Sequence, residues 1–251
     1  MLIRGCGQKQ SVAATAALAR ADAVLLGGAA ADPGLLARSR AAGIRVVTTY
    51  GMSETGGGCV YDGVPLDGVS LRIESPDASG AGRIVISGPV LAEARLDGGA
   101  SASSARAASP TSSFFARDGA LRELITGDRG RLLPDGRLEV LGRLDDVIVT
   151  GGVKVEPAYV EAVLSALEGV ARACVVGVPD DVWGSAVVAV VVPRAGARLD
   201  ARALRASARA RLDGAHSPKR VLVVDDLPLR GPGKVDRREV ARLAAAAWPR
   251  R

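Results

Sequence analysis

Aromatic side chains are scarce: Phe, Trp and Tyr together make up 3% of the 251 residues. A stacking surface for single-stranded nucleic acid interleaves aromatic with basic residues, so a net charge of +6 does not imply such a partner here. Lysine is also rare. Only Lys9, Lys154, Lys219 and Lys234 occur, and the basic character rests on arginines scattered along the chain. The three cysteines, Cys6, Cys59 and Cys174, are too few and too widely spaced for a disulfide framework or a CxxC zinc site. They suit a reducing, cytoplasmic setting. The single histidine, His216, precedes Ser217-Pro218-Lys219 without triad companions and reads as a loop residue. No apolar run is long enough to span a bilayer, and MLIRGCGQKQ lacks the apolar core of a signal peptide. The expectation is a cytoplasmic protein with no membrane span and no nucleic-acid partner, with homo-oligomerisation left open.

Apolar residues make up 48% of the chain, so a core of Val, Leu, Ile and Ala is expected. Val12–Arg20 reads as a helix, Ala23–Leu26 as a strand, and Leu35–Ala42, opened by Pro33 and closed by Gly43, as a second helix. Ile44–Thr48 reads as the next buried strand, and this order implies a parallel sheet. Short strands at Leu71–Ile73 and Arg83–Ile86 flank a turn-rich connection. Asp97–Ser113 reads as a surface loop, and Pro134-Asp135-Gly136 as the turn of a hairpin. Beyond Asp145 comes a hairpin around Gly151-Gly152, then a helix opened by Pro157. Two apolar strands, Ala173–Val178 and Ala186–Val192, follow. An Asp200-capped helix, a strand at Val221–Val224 and a terminal helix over Val235–Ala247 complete the unit. The fold class is α/β followed by α+β.

Four segments carry candidate chemistry. In Thr49-Tyr50-Gly51-Met52-Ser53-Glu54-Thr55, a hydroxyl and a carboxylate stand side by side just after a strand, where ligands of open α/β sheets bind. The pair suits a phosphate and its Mg²⁺; a polar turn bent at Gly51 accounts for the same residues. Asp128, in Ile125-Thr126-Gly127-Asp128, has the acceptors to hold both hydroxyls of a ribose. Gly142-Arg143-Leu144-Asp145-Asp146 precedes Gly151-Gly152. Lys234 ends the Gly/Pro-rich stretch Leu227–Gly233, placing a lysine on an exposed loop, which a solvated surface residue would also explain.

In their order these segments resemble the adenylate-forming superfamily of acyl-CoA synthetases, peptide-synthetase adenylation domains and luciferases. The matching signatures are Gly-Gly-Ala, Tyr-Gly-x-x-Glu, Thr-Gly-Asp, Gly-Arg-x-Asp, a Gly-Gly loop and Gly-Lys, running from Gly27 to Lys234. The resemblance implies the C-terminal part of a large AMP-binding domain (1–142), a hinge (143–147) and a small mobile domain (148–251). It implies ATP, Mg²⁺ and CoA as co-substrates with a small carboxylic acid. Gly28 and Ala29 would line the adenine site, with Tyr50 stacking near it. Ser53 would touch phosphate, Glu54 hold Mg²⁺, and Asp128 the ribose with help from Arg143. Asp145 would be the hinge, Gly151 and Gly152 would border the CoA tunnel, and Lys234 would act in acyl-adenylate formation. Gly57–Val69 is similar to the corresponding stretch of 2-succinylbenzoate–CoA ligases, enzymes of menaquinone synthesis. Within it, Gly57 and Gly58 suit either a flat ring beside the backbone or a tight turn. The family's Ser/Thr/Gly-rich phosphate loop belongs ahead of Gly27 and is not in these 251 residues. The resemblance therefore implies an N-terminally shortened chain (a fragment, a mis-started gene or a degenerate copy) that forms little or no acyl-adenylate alone. Trp183-Gly184 lies between two strands of the small domain, and Trp183 reads as packing rather than CoA stacking.

Overall fold

The computed structural model describes residues 8–28, 33–93, 114–118, 121–230 and 234–248. The chain divides into two compact units, Met1–Val140 and Leu141–Arg251.

The first unit opens with α1 (Gln8–Ala19), β1 (Val24–Leu26), α2 (Pro33–Ala41) and β2 (Val46–Met52). Val24 pairs with Val46 and Leu26 with Thr48 in a parallel ladder, the geometry that a helical crossover permits. Antiparallel β3 (Gly57–Tyr61) and β4 (Val64–Pro65) complete the order β1-β2-β3-β4. A second sheet holds β5 (Ser70–Glu74), β6 (Gly82–Ser87), β7 (Phe114–Asp118), β8 (Leu121–Leu132) and β9 (Leu138–Arg143). Its order is β5-β6-β8-β7, with β9 also on β8. The expected turn between the last two is present, with Gly136 at φ +83°. Cys59 and Val60 of β3 pack with Ile84, Ile86, Leu124 and Leu138, so one core holds residues of both sheets.

β2 departs from the expected buried strand at Ile44–Thr48. It runs on to Met52, and none of its residues is fully buried. A register shift between Tyr50 and Gly51 lets the strand continue through the motif. There β2 and β3 approach so closely that a Cβ on Gly51 would lie 1.9 Å from the Gly57 carbonyl oxygen. The stretch expected as a surface loop at 97–113 lies outside the described residues.

The second unit begins at Leu141, within β9, and continues through a single tight turn at Leu144–Asp146. Next come β10 (Ile148–Thr150), β11 (Val153–Val155), α3 (Pro157–Ser165), β12 (Val170–Asp180), β13 (Gly184–Pro193), α4 (Ala201–Arg209) and β14 (Arg220–Val223). The last elements are β15 (Leu229–Arg230), β16 (Lys234–Val235) and α5 (Arg237–Ala246). β12, β13 and β14 form a three-stranded sheet with β13 in the centre. Alternation splits the core in two. Val187, Ala189 and Val191 face Val160 and Leu164 of α3 and Leu204 of α4, whereas Val188, Val190 and Val192 pack with Val240 and Ala244 of α5. A strand covered on both faces reads as an unbroken apolar run, which is why Ala186–Val192 lacks alternation.

The terminal helix starts at Arg237 rather than Val235. The Asp236 carboxylate accepts from the amides of Arg238 and Glu239 and fixes the boundary. Among the described residues, no helix is long and apolar enough to cross a membrane. Leu164 is completely buried at the α3–sheet interface, so Leu164→Ala is expected to lower the unit's stability by about 2–5 kcal/mol. Urea unfolding followed by circular dichroism measures this, and an unshifted midpoint would contradict the packing.

Candidate functional site

The Tyr50 hydroxyl donates to Asp128 Oδ2 at 2.9 Å, joining β2 to β8 across 78 residues of sequence. Thr126, fully buried beside them, donates to the Ile84 carbonyl at 2.7 Å and accepts from the Asp128 amide at 3.1 Å. The Thr-Gly-Asp segment is thus held by its own threonine. Asp128 is 8% exposed, and a carboxylate so enclosed needs donors, one of which is Tyr50. Burial first, then the neighbouring Asp128 charge, push the Tyr50 phenol well above its ordinary range.

The sign of that shift sets a test. An unfolded tyrosine loses its proton near pH 10, whereas folded Tyr50 keeps it. Tyr50's contribution is therefore complete below pH 10 and declines above it, by about 1.4 kcal/mol per pH unit at most. Urea midpoints at pH 9 and pH 11 should fall more in the parent than in Tyr50→Phe; equal slopes would contradict the contact.

Ser53 and Glu54 lie in the Ser53–Thr55 turn directly beyond β2. Thr55, inside the turn, accepts from the Met52 amide and donates to the Gly57 carbonyl, and the Ala92 amide donates to the Glu54 carbonyl at 2.8 Å. Ser53 is exposed and Glu54 half-buried. No group of three or more His, Cys, Asp or Glu able to hold a metal occurs among the described residues. One carboxylate suits Mg²⁺ that keeps water and phosphate oxygens as its other ligands, as in a nucleotide-bound ion. Gly28 follows β1 with φ +84°; Ala29 lies outside the described residues. Gly57 and Gly58 are strand positions opposite Met52 and Gly51, so the tight turn precedes them.

The remaining candidates belong to the second unit. Arg143 and Asp145 form an exposed ion pair at 3.9 Å. Gly151 and Gly152, with φ of +54° and +80°, make the two-residue link between β10 and β11, a turn that requires positive φ at both positions. Lys234 is exposed and pairs through β16 with Arg230. His216 accompanies Asp213 at 2.7 Å and meets Tyr159 edge-on, as a local turn residue.

Trp183 overturns the packing expectation: it is 45% exposed. Its carbonyl accepts from the Gly151 amide at 2.9 Å, and Lys219 Nζ sits 4.6 Å above its ring. With Thr150, Arg205 and Arg209 they line an open depression of about 360 Å³. Thr150 is 3% exposed, and its hydroxyl has no hydrogen-bond partner among the described residues. Three cations, an aromatic face and a buried hydroxyl offer groups to an anionic ligand with a flat ring. Sequence reasoning missed the site because its members come from four separate segments. The rarity of lysine at Lys219 was the available signal.

The chain resembles AMP-binding enzymes: its residues 159–234 match the AMP-binding enzyme C-terminal domain. It is similar to the probable 2-succinylbenzoate–CoA ligase of Mycobacterium tuberculosis, with 46% identity over 234 residues, 93% of this chain and 57% of the relative. Two structures of Bacillus subtilis o-succinylbenzoate CoA synthetase share the fold. The one with the acyl-adenylate intermediate has a TM-score of 0.74 at 28% identity, covering 93% of this chain and 49% of that one. The other, with ATP and magnesium ion, has the same TM-score and identity over 94% and 50%. The chain therefore spans about half the length of the relatives it matches.

Proposed function

We propose that the chain provides part of the nucleotide site and the small mobile domain of an ATP-dependent acid–CoA ligase. Its acid would be 2-succinylbenzoate, activated as the acyl-adenylate and passed to CoA, with AMP and pyrophosphate released, in menaquinone biosynthesis. The observation that carries this reading is the Tyr50–Asp128 hydrogen bond, which brings two of the ordered signatures onto one surface. Tyr50 fixes the Asp128 carboxylate so that it accepts from the ribose hydroxyls, while Gly28 and Ala29 border the adenine. Ser53 meets phosphate, and Glu54 meets the Mg²⁺ that enters with ATP.

In the second unit, Asp145 serves as the pivot, and Lys234 approaches the α-phosphate and the substrate carboxylate. Gly151 and Gly152 border the pantetheine path after the small domain turns. The Trp183–Lys219 depression takes the anionic nucleotide end of CoA.

The test joins the chain to the upstream region of the M. tuberculosis relative and measures thioester formation with ATP, Mg²⁺, CoA and three acids. At least about a tenfold preference in kcat/KM is expected for 2-succinylbenzoate over benzoate and a medium-chain fatty acid. Loss of that preference rejects the acid assignment, and no thioester with any acid rejects the ligase reading.

A further inference from the structure

We propose that Arg237 is a positioning residue that locks the Lys234 hairpin to the turn following Asp145, so that the two move as one body. The inference rests on the ligase reading for its purpose, but its geometry stands apart from it. Arg237 lies three residues beyond Lys234, at the start of α5. Its Nε is 3.2 Å from Asp146 Oδ2 in the Leu144–Asp146 turn. Its Nη2 reaches both Glu161 carboxylate oxygens, on α3, at 2.8 and 2.9 Å. Its Nη1 donates to the Val175 carbonyl of β12 at 3.0 Å. Glu161 in turn accepts from the Val175 amide at 2.7 Å. One guanidinium thus ties three elements to the one that bears it, and only a planar fork of several donors can do so.

The cluster is more enclosed than the Arg242–Glu239 surface pair that follows on α5. The Arg237 and Asp146 side chains are each 31% exposed and Glu161 is 17% exposed, against 78% for Arg242 in its pair with Glu239. Enclosure strengthens charge-assisted bonds and makes their loss felt. On the lysine side, the Asp236 amide donates to the Pro228 carbonyl at 2.8 Å, and Leu229 and Arg230 pair with Val235 and Lys234. The hairpin is therefore closed at its base, one residue before Arg237. On the other side, Asp146 is anchored while Gly142, at φ +141°, holds a conformation that side chains rarely adopt. The anchoring divides the proposed hinge: residues 143–145 are left to turn, and Asp146 belongs to the body that turns.

Hydrogen exchange of the full chain tests this, with peptides covering 144–147 and 228–236 and the buried strand 186–192 as reference. Asp146→Asn and Arg237→Lys should each speed exchange in both segments by about tenfold, leaving the reference within about twofold. The double variant should add little to the larger single effect, because both remove one connection. Acceleration confined to one segment, independent addition of the two effects, or no acceleration overturns the proposal. Asp146→Asn keeps the Arg237–Glu161 bond, so it reads the connection even where Arg237→Lys fails to fold. As a second readout in the extended ligase, Asp146→Asn should lower kcat for adenylation with KM for ATP unchanged. Coupled exchange without ligase activity leaves this inference standing and rejects the function; activity without coupled exchange does the reverse.

Discussion

Lys234→Ala in the extended ligase is expected to slow acyl-adenylate formation by about 10²–10³-fold. Thioester formation from preformed adenylate should stay within about twofold. Attack of a carboxylate on the α-phosphate gathers negative charge on phosphoryl oxygens, and a cation aimed there acts only as that charge develops. The second half-reaction builds its charge on the acyl carbonyl, away from that lysine. Lys234 is exposed on a two-residue strand, so alanine removes the charge without opening a core cavity. Among 33 basic residues only four are lysines, and a flexible stem carrying a compact charge suits a group that must approach and withdraw. Separate stopped-flow measurement of the two half-reactions checks the claim. An equal fall in both, or none in adenylation, would show that Lys234 does not serve the first step.

What the sequence made legible was whatever local chemistry decides. Pro33 and Gly43 bracket α2, Asp200 caps α4 through two amides at 2.8 Å, and Gly151-Gly152 turns a hairpin. Each is settled by residues within a few positions of the event. The extent of β2 was not legible, because its continuation depends on β3 approaching Gly51 closely across the bulge. Nor was the start of α5, where an apolar Val235 looked helical but the Asp236 side chain caps the next residue onward. Of the candidate site, residue types and their order could be read, and the Tyr50–Asp128 contact could not, since a separation of 78 positions hides it. The Arg237 cluster escaped for the same reason. An ion pair between distant elements leaves no period in the sequence, and one arginine among so many basic residues carries no signal of its own.

The 251-residue polypeptide, assayed alone, is expected to show no ATP–pyrophosphate exchange above background. Joining it to the upstream region of a relative should raise exchange by at least about 10³-fold. Adenylation needs backbone donors around the β- and γ-phosphates as well as Mg²⁺, and no Ser/Thr/Gly-rich loop precedes Gly27 in this sequence. The first sheet adds a structural reason. β1 is an edge strand of three residues, and parallel strands are usually covered on both faces. Here Leu25 of β1 is 61% exposed and Leu35 of α2 is 43% exposed, so apolar surface beside the proposed nucleotide site is uncovered among the described residues. Strands added beside β1 would bury that surface and rigidify β2, from which Tyr50 reaches Asp128. The gain should therefore appear twice, as exchange activity and as slower hydrogen exchange of the β1–β2 amides in the joined protein. Exchange by the lone polypeptide would mean that Glu54 and Lys234 suffice to hold the triphosphate, and that adenylation does not depend on a phosphate loop. Protection of β1 and β2 without recovered activity would instead place the fault in the pyrophosphate cradle, because the sheet carrying Tyr50 would by then be complete.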